Sequence, residues 1–120
     1  MNVEEITAEL EELYERVGAP VDRHNPEALS QALVELVGWL ARSGVLEADT
    51  KYYLTQAEGE AAEKVAHLDL PHNKLKAHIA VECVVEQRAV DLAHRLYSTC
   101  LATIEIYRSL LSFAKGQMRL

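Results

Sequence analysis

The residues best suited to chemistry in this chain lie around a short proline-containing turn and along the segment that follows it. His67, Asp69 and His72, with His78 further on, are of the types that hold transition metals through imidazole nitrogen and carboxylate oxygen. Zinc needs three or four such ligands converging on one point. His72 and His78 are six apart, which on a helix turns them to different faces. The spacing therefore matches no metal motif, and His67, His72 and His78 read as surface or capping groups. Cys83 and Cys100 would be nucleophiles only with a base at hand, and His94 is neither three nor four residues from either. On an apolar helix face a cysteine behaves as a small hydrophobe. Glu82 and Glu86 share a face at i, i+4; their plainer role is a solvated ridge, or a polar specificity point within a packing seam. Glycine-rich phosphate loops are absent. The expectation is a protein that is not an enzyme and takes no metal or cofactor.

Lys51, Tyr52 and Tyr53, with Arg88, Arg95 and Arg108, could hold a single strand of nucleic acid by charge and base stacking. Against this, Asp91 can neutralise Arg95 at i, i+4, and the net charge of −7 disfavours phosphate binding. That charge is unevenly spread: residues 1–50 hold 11 acidic and 3 basic residues, residues 51–120 hold 8 and 9. The last 15 residues carry Arg108, Lys115 and Arg119 and no acid, so one end is basic and the other acidic.

What positions these groups is helix. Residues 74–115 contain neither proline nor glycine, and one seam reads Ile79, Cys83, Glu86, Val90, Ala93, Tyr97, Cys100, Ile104, Tyr107, Leu111, Ala114. Steps alternating four and three give the 3.5-residue repeat that keeps one face toward a partner helix. The spacing predicts a single helix of about 60 Å over 74–115. A second row, Val81, Val85, Ala89, Leu92, Leu96, Thr103, Ile106, Leu110 and Phe113, leaves only a narrow polar stripe. One partner helix cannot cover both rows, so self-association is expected, with Ile79, Cys83, Val90, Tyr97, Cys100, Ile104, Tyr107 and Leu111 as the packing surface.

Upstream, Asn2 with Glu5 three residues on forms a capping-box pattern for a helix over 3–17, with Ile6, Leu10, Leu13 and Val17 as its apolar stripe. Gly18 is suited to a left-handed cap and Pro20 prevents continuation. Glu4, Glu5, Glu9, Glu11, Glu12 and Glu15 make this helix an acidic candidate surface for a partner, although such runs are most often a solvated face. Asn25-Pro26 opens a second helix, expected over 26–68. Gly44 would end it, bend it, or be tolerated inside it at ~1 kcal/mol, and fraying is expected around Gly59. The turn at 69–73, with Asn73 or a neighbour as cap, makes the two long helices antiparallel. The result is one all-α domain over 1–120: a long helical hairpin crossed by a short N-terminal helix. Apolar content is 49%. There is no 18-residue apolar run and no basic-then-apolar start, so neither a membrane span nor a signal peptide is expected. Two cysteines 17 positions apart on one helix cannot bridge within a chain, which suggests a reducing cytoplasm.

Two segments carry a resemblance. LARSGVLEADTKYYL (40–54) and RLYSTCLATIEIYRSLLSFAK (95–115) resemble two blocks of a group of small uncharacterised helical bacteriophage and prophage proteins. Thr99, Cys100, Ile104, Arg108, Leu110, Leu111 and Ser112 fill the second pattern, while Ala102 and Thr103 stand where the group usually carries polar residues, often histidine and glutamine. The resemblance covers about a third of the chain and implies a setting near phage recombination and replication functions. Three functions are then expected in turn. The first is an oligomeric, non-enzymatic adaptor with a protein partner; the second is an inhibitor of a bacterial defence system acting through the acidic helix. The third is a single-strand binder.

Overall fold

The computed structural model describes residues 1–118, and these form four α-helices and no strands. Helix α1 spans Val3–Val17. Its N-terminus is closed by the capping box: Glu5 N–H donates to Asn2 Oδ1 at 2.8 Å, and the Glu5 carboxylate accepts from Asn2 N–H. Ile6, Leu10, Leu13 and Val17 are buried. Gly18 ends the helix without the expected left-handed turn. It stays right-handed (φ −82°), and its N–H donates to the Tyr14 carbonyl at 3.1 Å. No described residue has positive φ; proline two residues on is a sufficient stop.

Helix α2 spans Pro26–Val65, 40 residues, or about 60 Å. Asn25 Oδ1 accepts from the N–H groups of Glu27 and Ala28, and proline occupies the first turn, where it sacrifices no helical hydrogen bond. The helix passes unbroken through Gly44 and Gly59. At Gly44 a side chain would only just touch the Tyr97 ring, at 4.0 Å, so packing against the second arm supports the backbone there. The helix stops three residues short of the expected 68, and Pro71 turns the chain back.

The second arm departs from expectation. It is two helices, α3 (His72–Glu82) and α4 (Val84–Met118), interrupted at Cys83. Cys83 has φ −108° and ψ 18°, and its N–H is shared between the carbonyls of Ile79 and Ala80. The cause is a change of phase. Leu75, Ile79 and Cys83 are four apart, whereas later seam residues alternate three and four. A straight helix cannot hold both rows against one neighbour, and one tightened residue re-aims the chain. Valines 81, 84 and 85 crowd that turn and weaken its helical preference. Pro71, not Asn73, holds the capping position of α3, and no side chain caps it.

The second arm returns antiparallel along α2, as the Lys64–Glu82 and Glu47–His94 contacts show. Helix α1 lies over the middle of the hairpin. Its buried residues join Leu29, Leu36 and Leu46 of α2 and Ala93, Leu96, Cys100, Ile104 and Tyr107 of α4 in one core. Ser43 and Thr50 are also buried there, each satisfied by donating to a carbonyl of its own helix at 2.8 Å. Beyond the reach of α1 the hairpin is only two helices thick, and the buried side chains are small: Ala61, Cys83 and Ala89. The described chain is a rod, 74 × 26 × 18 Å, with a radius of gyration of 20.1 Å, against about 14 Å for a compact domain of this length.

Candidate interaction surface

Val45 and Leu46 are neighbours in sequence and face opposite ways. Leu46 is fully buried, whereas Val45 is 50% exposed. Leu46 belongs to the inner face of α2, with Leu29, Leu36, Ser43 and Thr50. Val45 belongs to an outer row, Val34, Val37, Ala41, Val45, Ala48 and Tyr52, every member of which is exposed. The row repeats every eleven residues: 34 to 45, 37 to 48, 41 to 52. Eleven residues make three helical turns with about 20° to spare, so the row stays on one side of a straight helix. Ser30, Thr55 and Gly59 extend it without charge, giving a stripe of about 44 Å. Val34 (69% exposed), Val37 (52%) and Tyr52 (64%) supply most of its area. Helix α2 thus has two apolar faces, and the fold uses one.

The flanks of the stripe are held in place. Glu9 on α1 accepts from Arg42 Nε at 2.5 Å and from Nη2 at 2.9 Å. The guanidinium hydrogen bonds hold the Glu9 carboxyl below its ordinary range and push Arg42 up. Glu47 meets Lys51 at 3.5 Å and His94 at 3.3 Å. Tyr53 turns inward, its hydroxyl donating to the Met1 carbonyl, and meets the exposed Tyr52 ring edge to face at 5.6 Å between centroids. These contacts tie α1 and α4 to the flanks of α2 on either side of the outer row.

The residues expected to pack against another protomer are filled from within. Cys83, Cys100, Ile104 and Tyr107 are buried, and Ile79, Val90, Tyr97 and Leu111 half-buried. The seam faces α2 of the same chain, which corrects the expectation that it is an assembly surface. Burial pushes both thiols above their ordinary range, and at Cys83 the carboxylates of Glu86, Glu58 and Glu82 add to the effect. Both cysteines are therefore protonated near neutrality and poor nucleophiles. Glu86 sits in the seam with Oε2 buried and unpartnered.

On the acidic helix the six carboxylates are not equivalent. Glu5 caps its own helix, Glu9 is bound by Arg42 and Glu12 pairs with Arg16, while Glu4, Glu11 and Glu15 are exposed. His67, His72 and His78 are exposed, and among the described residues no three His, Cys, Asp or Glu side chains come together as a metal site. Arg88 and Arg95 line a groove with the acidic Glu11 and Asp91, and neither Lys51 nor the two adjacent tyrosines reach it. Arg119 lies outside the described residues. A cavity of about 590 Å³ is an open groove under the α1–α2 connection, floored by Leu36, Trp39 and Tyr107 and carrying no nucleophile–base pair.

No described helix is long and apolar enough to cross a membrane. The sequence matches no protein-family model, and neither a curated protein nor a solved structure matches it.

Proposed function

We propose that this chain is a non-enzymatic interaction protein whose working surface is the outer face of α2, which seats against an apolar helical face of another protein molecule. The observation that carries this reading is the uncharged, exposed eleven-residue repeat on a helix whose opposite side is already packed. An apolar patch of several hundred Å² is about the largest that monomeric proteins expose, and such patches are often functional. A rod with an uncharged apolar stripe along one side suits an adaptor. A setting in phage recombination or replication rests on the resemblance of residues 40–54 and 95–115, and a cytoplasmic site of action on the two unpaired cysteines. The defence-inhibitor reading is weaker, because three of the six carboxylates it needs are engaged within the chain.

Site-specific photo-cross-linking in cells making the protein separates these readings. A probe replacing Val45 is expected to give one discrete adduct, and a probe replacing Glu12 none. An adduct from Glu12 alone would overturn the proposal in favour of the acidic helix, and no adduct from Val45 would overturn it outright.

A further inference from the structure

The outer face of α2 offers more than a generic apolar strip: its pattern matches itself in reverse. Turned end to end about the Gly44–Val45 peptide, Ser30 falls on Gly59, Val34 on Thr55, Val37 on Tyr52 and Ala41 on Ala48. The smallest residues of the row, Ala41 and Ala48, then lie on either side of the crossing, where two backbones approach most closely. The larger Val34, Val37 and Tyr52 fill the space that opens on either side as crossing helices diverge. Flanking charge agrees. In this arrangement Arg42 lies within two residues of the level of the partner copy's Asp49 on the same flank, and two-fold symmetry makes the contact twice. Glu9 occupies Arg42 Nε and Nη2, leaving Nη1 to donate. Gln31 falls beside Gln56, again without like charge. Glu27 and Glu63 would meet only beyond the ends of the stripe, where the helices have separated. A parallel pair would instead bring the Glu58, Glu60 and Glu63 segments of both copies together and align two helix dipoles.

The area suffices. The exposed fractions of Val34, Val37, Val45 and Tyr52 with the intervening small residues amount to about 500 Å² per copy, hence about 1,000 Å² for a pair, where specific interfaces begin. Resting on the reading of this face as an interaction surface, we infer that its occupant is a second copy of the same chain, bound antiparallel about a two-fold axis at Gly44–Val45.

Single-cysteine cross-linking tests both the occupant and the register. Val34→Cys and Thr55→Cys are made in the full-length chain, where the native Cys83 and Cys100 are buried and wild type is the blank. Both sites are exposed, and circular dichroism confirms the fold. On oxidation, a mixture of the two variants is expected to give a two-chain band that is lost when either is oxidised alone. Bands from each variant alone would show a parallel pair and overturn the register. No band from any sample, with a single-chain mass at high concentration, would overturn the second copy as occupant. An adduct from Val45 to a different protein would then still uphold the interaction reading, and absence of any adduct would remove both.

Discussion

The inner and outer faces of α2 are built from similar residues and differ in what surrounds them. Inside, Leu29, Leu36 and Leu46 are covered by α1 and α4, and the polar Ser43 and Thr50 fit because their own helix satisfies them. Outside, Val34, Val37, Val45 and Tyr52 have the same apolar character and no cover within the chain. Hydrophobic burial is non-directional, so what separates the two faces is geometry. The inner row uses leucines with interlocking volumes, whereas the outer row uses valine and alanine, which suit a close approach, with Tyr52 toward one end. The first is a core, and the second is the face proposed as an interface.

The adjacent pair Leu46 and Val45 tests that contrast most strongly. Leu46→Ala leaves a cavity in the core and is expected to lower unfolding stability in urea by about 3 kcal/mol. Val45→Ala should change the stability of the single chain by no more than about 0.5 kcal/mol. Equal costs would dissolve the distinction between the faces.

Next comes Ala41→Glu, which places a carboxylate at the crossing of the proposed pair. Burying two unpaired charges there should weaken association by about 100-fold or more, read as a dissociation constant from a dilution series, with the circular dichroism spectrum unchanged. An unaltered dissociation constant would move the interface elsewhere, for example to Val81, Val84 and Val85 or to Ile106 and Phe113, which are also exposed.

The seam contains one deliberate-looking flaw, Glu86, whose Oε2 is buried without a partner. Glu86→Leu is expected to raise thermal stability, by about 1 kcal/mol, because an unsatisfied carboxylate oxygen is exchanged for an apolar contact. A loss of stability would show that Glu86 fixes the register of α2 against the second arm.

The smallest effect concerns the clamp. Glu9 has its folded pKa depressed below 4.5 by Arg42, so the ion pair contributes stability that is present above pH 4.5 and is lost as pH falls through the lower, folded value. Both side chains are partly exposed, 27% and 42%, so the contribution is at most about 1 kcal/mol. Glu9→Gln should remove it and flatten the acid limb of the stability curve. A curve unchanged in shape would mean that α1 is held by its apolar stripe alone.

Much of the fold was legible because its signals are local. Asn2 with Glu5, Asn25 with Pro26, and Pro20 and Pro71 mark starts and stops through hydrogen bonds and fixed angles that reach only a few residues. The antiparallel hairpin follows from the short turn between two long apolar-periodic stretches. The break at Cys83 was hidden because no glycine or proline announces it. Its cause is a phase shift between the Leu75–Cys83 row and the later seam, which matters only when α2 lies alongside. The exposed outer row of α2 was hidden for a related reason. The apolar row on 74–115 is the more conspicuous, and the chain consumes it internally. The row left over is on α2, where two interleaved apolar periods blur each other, and only the eleven-residue spacing of Val34, Val37 and Ala41 with Val45, Ala48 and Tyr52 separates them. On the first helix, sequence revealed six acids but not that Arg42, 33 positions away, claims one of them.

The central claim, that the outer face of α2 is an interface, is tested most directly by sedimentation equilibrium of the wild-type chain beside Ala41→Glu. The account gives twice the 13.4 kDa chain mass for wild type, returning to a single chain in the variant at the same concentration. A wild-type mass of 13.4 kDa at every accessible concentration would contradict pairing through this face.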